Sequence, residues 1–347
     1  MDKKILSICV PTFNRINHLK QSLPNLIYLA NKYNLEICVS DNSSNDGTWQ
    51  FIQNLSMKNE CLVISRQTKN LGSTPNVVDV TRIASSYWIL IVGDDDLIEE
   101  NHFSELLNKL KELKNNKEHK YVLINSYLTN HDLLLSLQHG SISVPKMKKI
   151  FNNSIEEFGF VGSHVFTNDL ASVLQSTALK ELMGWPSLYL LAFYSLRKPT
   201  FFFSKPIVRQ AFAEAALDWK PHHWLQLSIK RSQIFYNASK KANRSNIGKK
   251  IAIRQLFKLS FFKVVITSHV MFKADTKKII NSNRFNEIIS LRNNFQKNFI
   301  KLFINLLILI PPSIYFVISP SLRRKKIILN NSQDNIDGVT RDVGIID

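Results

Sequence analysis

Acidic residues are almost missing from one third of this chain. Between residues 219 and 330 there are two, Asp275 and Glu287, against 22 Lys and Arg, a net of +20. Residues 1–100 carry 9 Lys and Arg against 11 Asp and Glu, a net of −2. The overall charge of +18 is therefore regional, and it describes a partner surface rather than a fold. Cysteine is scarce too: Cys9, Cys38 and Cys61 are an odd number without CxxC spacing. Cys9 and Cys38 sit inside apolar runs and read as small buried hydrophobes, which argues against metal or redox work and fits a reducing compartment. A leader-like apolar stretch is also lacking, since ILSICV spans six residues before Pro11 and Arg15 close it. It reads as a first buried strand, and a cytoplasmic protein is expected. With 347 residues, 44% hydrophobic and 10% aromatic, the chain is long and apolar enough for a sizeable core, and wholesale disorder is excluded.

Residues 1–127 alternate between two kinds of segment. Apolar, β-branched runs fall at 5–10, 35–40, 61–65, 87–92 and 121–125, with helix-like stretches at 17–33, 46–56, 74–85 and 99–115. That alternation predicts an α/β fold, a mostly parallel Rossmann-like sheet with helices on both faces. Ligands in such sheets bind beyond the carboxyl ends of the strands. Polar clusters fall at four of those ends: PTFNR, DNSSNDGT, RQTKNLG and GDDD.

Two of these clusters carry more polarity than a turn needs. In SDNSSNDGT (residues 40–48), Asn45 or Asp46 can cap a helix starting near Thr48, but Asp41 lies too early to cap and is a candidate ligand contact. In GDDD (93–96), three adjacent carboxylates repel one another at the mouth of a buried strand. Capping a helix from Glu99 would explain one of them; a hard cation such as Mg²⁺ or Mn²⁺ would explain all three.

Taken together, SICVPTFNR (7–15), ICVSDNSSNDGT (37–48), NLGSTPN (70–76) and YWILIVGDDDLI (87–98) resemble the family 2 glycosyltransferases, in order and spacing. The resemblance implies the A-type nucleotide-sugar-binding fold over residues 1–127. Carried over by position, Pro11, Thr12 and Asn14 would line the nucleotide pocket with Arg15 nearby, Asp41 would hold the base, and Asn70 and Gly72 would form the turn under the nucleotide-sugar. Two departures stand out. Ser40 replaces the first of a common aspartate pair, and Gly93 replaces the first aspartate of the usual Asp-x-Asp-Asp metal motif. Asp95 and Asp96 are then the expected metal ligands, Asp95 foremost. Asp94 fills the variable position, and an Asp94/Asp96 pairing stays open. The combination is most similar to the bacterial subgroup that adds dideoxyhexoses to O-antigen units, the abequosyltransferase-like enzymes. FGFVGSHVF (158–166) resembles that subgroup's turn into the acceptor half.

Sugar transfer needs a stabilised diphosphate leaving group and an activated acceptor hydroxyl. Family members commonly carry a Glu-Asp pair some way after the metal motif, but MGWPSLYLLAFYSL (183–196) has no acid. The neighbouring acids are Asp169, Glu181, Glu214 and Asp218. Asp218, in the aromatic stretch EAALDWKPHHW, is the candidate general base, and His222 or His223 could supply a further metal or diphosphate contact.

In the basic third, Lys250, Arg254 and Lys258 share one helical face of KKIAIRQLFKLSFFKVVI (249–266). FIKLFINLLILIPPSIYFVIS (299–319) is strongly apolar, yet Lys301, Asn305 and the Pro311-Pro312 break make it a poor span, and RRKK (323–326) follows as a polybasic anchor would. The expected organisation is a nucleotide-sugar half at 1–127, an acceptor half at 128–218, a basic helical membrane-associating region at 219–330 and a loose tail at 331–347. The expected activity is an inverting hexosyl or deoxyhexosyl transfer using Mn²⁺ or Mg²⁺. The expected partners are a nucleotide-sugar, a lipid-linked glycan acceptor and the anionic inner face of the plasma membrane, where the protein would sit peripherally. A nucleic-acid binder is a second reading of the +20 segment, although no nucleic-acid-reading motif accompanies the charge. A sugar-phosphate nucleotidyltransferase is a third, set back by the lack of glycine in PTFNR.

Overall fold

The computed structural model describes residues 3–127, 133, 135–153, 156–210, 221–256 and 304. The chain divides into two compact units, one of residues 1–217 with 234–248 and one of residues 218–233 with 249–347. Expectations that fall on residues 211–220, 257–303 and 305–347 lie outside the described residues. They include Glu214, Asp218, Lys258, the apolar run 299–319, RRKK and the tail.

In the first unit, five of the expected strands and four of the expected helices form close to their predicted bounds: β1 (Leu6–Thr12), α1 (Ile16–Tyr33), β2 (Glu36–Asp41), α2 (Thr48–Ser56), β3 (Leu62–Arg66), α3 (Ser73–Arg82), β4 (Trp88–Ile91), α4 (Phe103–Asn116) and β6 (Tyr121–Tyr127). A short strand, β5 (Asp96–Ile98), stands between β4 and α4. Strands β3, β2, β1 and β4 lie side by side and parallel. The residues of β1, β2 and β4 are buried on both faces, as continuous apolar runs require, while the edge strand β3 is partly exposed. Leu19, Leu23, Leu26 and Leu29 of α1 recur at helical spacing and pack on that sheet's core. Pro11 is tolerated inside the central strand for a local reason. The Cys9 carbonyl accepts the Val92 N–H, so Pro11, two residues on, also faces the β4 side, beyond the last β1–β4 pair at Cys9 and Ile91.

The second half of the sheet is mixed. β8 (His164–Thr167) runs antiparallel between β4 and β6, and β9 (Thr200–Gln210) runs parallel to β6. β7 (Gly140–Ile142) and β5 both pair antiparallel with β9. The β6–β9 register shifts on both sides of Asn125. The Asn125 amide fills this irregularity, donating to the Leu135 and Ser204 carbonyls at 2.9 and 3.1 Å. Beyond it, Val208, Arg209 and Gln210 pair with Ile98, Leu97 and Asp96, so the end of β9 is laid against the acidic segment.

The remaining helices are α5 (Val144–Asn153), α6 (Asn168–Gln175), α7 (Leu179–Leu182), α8 (Pro186–Ser195), α9 (Pro221–Lys241) and α10 (Ser245–Leu256). α8 covers most of the acid-free stretch 183–196 and is buried through Leu188, Tyr189, Leu190, Leu191 and Ala192. On α10, Lys250 and Arg254 are exposed while Ile251, Ala252 and Ile253 are buried. No described helix is long and apolar enough to cross a membrane.

Candidate active site

Four loops meet at the carboxyl edge of the parallel strands, and each is tied to another by side chains. The β1 loop leaves Thr12, turns through Asn14 with φ of +51°, which asparagine tolerates, and enters α1. The Asn14 N–H donates to Ser44 Oγ at 2.8 Å, and the Asn45 N–H donates back to Asn14 Oδ1 at 2.9 Å. One carboxylate then serves two helices: Asp46 accepts the Thr48 N–H at 3.0 Å and the Ile16 N–H at 3.1 Å, the first residues of α2 and α1. Burial alone would raise the Asp46 carboxyl, but the Thr48 and Ile16 hydrogen bonds outweigh it and hold the group below the usual carboxylate range. Asp46 thus caps as expected, from the residue before the Gly47 N-cap.

Asp41 sits at the end of β2 with no exposed surface. Its carboxylate accepts the Ser44 N–H at 3.1 Å and the Ser44 hydroxyl, and it pairs with Arg66 Nε at 3.2 Å. Arg66 donates a second bond to the Ser44 carbonyl at 2.8 Å and lies over the Trp49 ring. Asp41 therefore locks the turn that follows it, and its oxygens are engaged within the protein.

The neighbouring Asn42, which in sequence merely ends the strand, joins three loops. Its N–H donates to the Thr12 carbonyl at 3.0 Å. Its amide donates to Asn70 Oδ1 at 2.8 Å and to the Gly72 carbonyl at 3.1 Å, and accepts the Leu71 N–H at 2.9 Å. Asn70 Oδ1 also accepts the Gly72 N–H at 2.9 Å. Gly72 has φ of +89°, which an L side chain rarely adopts, so glycine is required there by backbone conformation although the space is open. Asn76 of α3 completes the knot by donating to the Thr12 carbonyl at 3.1 Å.

The acidic segment faces this knot. Asp94 Oδ2 accepts the Thr12 hydroxyl at 2.7 Å, and the Asp94 carbonyl accepts the Ser22 hydroxyl at 2.8 Å. Arg15 reaches both neighbouring carboxylates, with Nε 3.9 Å from Asp94 and Nη2 3.5 Å from Asp95. The helix-capping alternative for GDDD fails, because β5 and a 3-10 turn (Glu100–His102) separate the acids from α4. A Cβ at Gly93 would lie 2.7 Å from Asp96 Oδ2 and 2.9 Å from Asp95 Oδ1, so a side chain there requires those carboxylates to move. Two carboxylate oxygens thus converge on the small volume that glycine leaves. Burial pushes the Asp94 carboxyl up to about 7 against the pull of Arg15, with Asp95 adding repulsion. Burial and then Asp95 push Asp96 well above the carboxylate range.

Among the described residues no three His, Cys, Asp or Glu groups gather as a complete metal cage. The donor set nonetheless fits a hard divalent cation. Mg²⁺-type ions take one or two carboxylates and fill the rest of their shell with phosphate oxygens and water, and two converging oxygens amid repelling charges suit that arrangement.

The structure thus brings Pro11, Thr12, Asn14, Arg15, Asp41, Asn70, Gly72, Asp94, Asp95 and Asp96 to one edge of the sheet. Asp218 lies outside the described residues. The chain enters residues 211–220 from Gln210, whose backbone pairs with Asp96. Asp169 is elsewhere: it is bound to Lys120, next to Asn168, whose N–H donates to the Tyr87 carbonyl at the start of β4. His222 and His223 fall in the first turn of α9, and their side chains are not among those described. Asn42 and Asp46 escaped the sequence reading as organising residues, since their partners lie up to 30 positions away.

Comparison with known proteins adds likenesses to this geometry. Residues 7–119 match the family described as glycosyl transferase family 2. The chain is 34% identical over 105 residues to the abequosyltransferase RfbV of Salmonella typhimurium, covering 29% of this chain and 31% of that protein. It is 33% identical over 114 residues to a dolichol-phosphate mannosyltransferase of Pyrococcus furiosus, covering 33% of this chain and 31% of that protein. Each match spans under a third of the relative's length. Among solved structures, S. aureus TarS 1–349 in complex with UDP superposes with a TM-score of 0.53 at 14% identity, over 92% of each chain. The same protein in complex with UDP-GlcNAc gives 0.52 at 15% identity, over 93% of this chain and 92% of that one. At such identities the likeness shows a shared fold.

Proposed function

We propose that this protein, whose residues 7–119 match glycosyl transferase family 2, is an inverting, metal-dependent glycosyltransferase. It moves a hexose or deoxyhexose from a nucleotide-sugar to a polysaccharide or lipid-linked oligosaccharide acceptor of the O-antigen or capsule kind. The observation that carries this reading is the convergence of Asp95 and Asp96 on the Gly93 gap, at the strand edge where the nucleotide loops are knotted together. The match to an abequosyltransferase over 105 residues supports the choice of sugar class and acceptor.

In this mechanism the Pro11–Asn14 loop and the Asn70–Gly72 turn hold the nucleotide. Asp41 shapes the base pocket by locking residues 42–48 against Arg66. Asp95 and Asp96 would hold a divalent cation, with Asp94 beside them, and that cation, Mn²⁺ or Mg²⁺, would supply Lewis-acid stabilisation of the diphosphate leaving group. Arg15, already within reach of two of these carboxylates, can turn its guanidinium to the same diphosphate. The acceptor hydroxyl loses its proton to a carboxylate, for which Asp218 is the candidate, and attacks the anomeric carbon opposite the departing diphosphate. That single displacement inverts the configuration. Residues 128–218 would form the acceptor half. The net charge of +20 over residues 219–330 suits a peripheral seat on the anionic inner face of a plasma membrane, where a lipid-linked acceptor presents its diphosphate.

The test is an assay of the purified protein against a panel of nucleotide-sugars and lipid-linked acceptors, with products read by mass and anomeric configuration by NMR. Transfer that chelator abolishes and Mn²⁺ restores, with inversion, is the expected result. Failure to bind any nucleoside diphosphate in Mn²⁺, alongside tight salt-sensitive binding of an oligonucleotide, would overturn the reading.

A further inference from the structure

The opposite edge of the parallel sheet carries a feature that sugar transfer does not use. A cleft of about 470 Å³ lies where the strands begin, lined by Lys3, Lys4, Ile5, Tyr33, Asn34, Lys111, Lys114 and Asn115. Three segments build it: the lead into β1, the C-terminal end of α1 with its Asn34 cap, and the last turns of α4. Four lysines share it, and no acid lines it. Among the described residues, Glu112 is engaged by Lys109 at 2.5 Å and Glu100 by Lys32. The four lining lysines have no carboxylate partner among the described residues.

The ordinary explanation is that lysines settle at helix C-termini, where backbone carbonyls concentrate negative charge. Two helix ends supply roughly half an elementary charge each, so they offset about one lysine of the four. The remainder is uncompensated in a half of the chain whose first 100 residues have a net charge of −2. Two of the four lysines are also fixed rather than splayed. Lys4 Nζ donates to the Leu35 carbonyl at 2.9 Å, and Lys114 Nζ stands 5.4 Å from the Tyr87 ring centroid. Lys3 and Lys111 are exposed, and the Asn34 and Asn115 amides add neutral donors to the same lining. Four lysine side chains and two amide side chains lining a cleft of this size match multivalent phosphate chemistry.

We propose that this cleft is a second anion site, which binds a phosphate-bearing group at the sheet edge opposite the Asp94–Asp96 cluster. Its ligand is either a free diphosphate or the phosphodiester of a lipid headgroup. In the second case the cleft docks the catalytic unit on the membrane independently of the basic C-terminal third.

The experiment uses the full chain and the double variant Lys111→Glu/Lys114→Glu, with Lys111→Gln/Lys114→Gln as a milder second should charge reversal disturb α4. One arm titrates inorganic pyrophosphate by calorimetry in EDTA, with Asp95→Asn as the control for the catalytic edge. The other floats the protein at low salt with vesicles of phosphatidylglycerol and phosphatidylcholine, and with phosphatidylcholine alone. A free-diphosphate site shows pyrophosphate affinity that drops on the order of tenfold in the lysine variants and is unchanged in Asp95→Asn. A headgroup site shows no such drop in the first arm, but a loss on the order of tenfold in binding to the phosphatidylglycerol vesicles in the second. Lysine variants that match the wild type in both arms would overturn the proposal.

Discussion

Replacing Asn42 by aspartate changes one NH₂ to an oxygen at a residue that is 2% exposed and joins three loops of the candidate site. The orientation of the native amide is not ambiguous. The Gly72 carbonyl can only accept and the Leu71 N–H can only donate, so the nitrogen faces Gly72 and Asn70 while the oxygen faces Leu71. Asn42→Ala removes three side-chain hydrogen bonds worth about 1 kcal/mol each, so a loss of ~3 kcal/mol is expected. Asn42→Asp should be worse despite its near-identical shape. It keeps the Leu71 bond but sets an oxygen against Asn70 Oδ1 and the Gly72 carbonyl, at separations that are now 2.8 and 3.1 Å. Asn70 could flip to donate instead, but that would forfeit its bond from the Gly72 N–H at 2.9 Å. A buried carboxylate without a cation adds desolvation, so a further ~1–3 kcal/mol is expected. Urea denaturation measures both losses, and calorimetry with nucleoside diphosphates should show affinity falling in the same order, alanine before aspartate. An aspartate variant as stable as the alanine one, or one that binds nucleotide like the wild type, would refute the argument that this amide organises the site.

Three further outcomes are expected. Asp95→Asn should abolish turnover and metal-dependent nucleotide binding with the fold intact, and wild-type transfer rates in chelator-treated buffer would contradict it. Asp41→Ala should lower stability by ~2 kcal/mol, because it strands the Ser44 N–H and leaves Arg66 unpaired at the turn; nucleotide affinity should fall with it, and unchanged denaturation midpoints would sink that account. His164 is buried, with Nε2–H donating to the Phe158 carbonyl at 3.0 Å and Nδ1 facing the Tyr121 hydroxyl at 2.8 Å, and burial pushes its pKa down to about 4. The folded state therefore binds fewer protons than the unfolded chain between about 6.5 and 4, so this residue's contribution is complete above that window and is lost as pH falls through it, by up to ~3 kcal/mol. The stability difference between wild type and His164→Gln, followed by denaturation across those pH values, should shrink accordingly; a flat difference would contradict the assignment.

The predicted strands lie within one or two residues of those observed from β1 to β4, because the information is local. Runs such as ILSICV and YWILIV are apolar almost throughout, so both faces must be covered, and polar clusters stop them at one edge. The crowding of carboxylates at GDDD was legible for the same reason, since three adjacent charges need no partner segment to be recognised as costly. What the residues do with one another was decided by tertiary structure. Asp41 reads as a free ligand group in sequence, yet Arg66, 25 positions away, pairs with it once β3 lies against β2 in register. Asn42 and Asp46 look like ordinary turn residues until the β1, β2 and α3 loops are brought edge to edge. GDDD does not cap a helix because β9, more than 100 residues later, returns to pair Gln210 with Asp96 and draws the segment into a strand. The sequence by itself determined which segments are buried and where polarity gathers, because burial is paid residue by residue. Only the fold decided which of the gathered groups are engaged by one another and which stay open to a ligand, because that depends on register between segments that no local pattern connects.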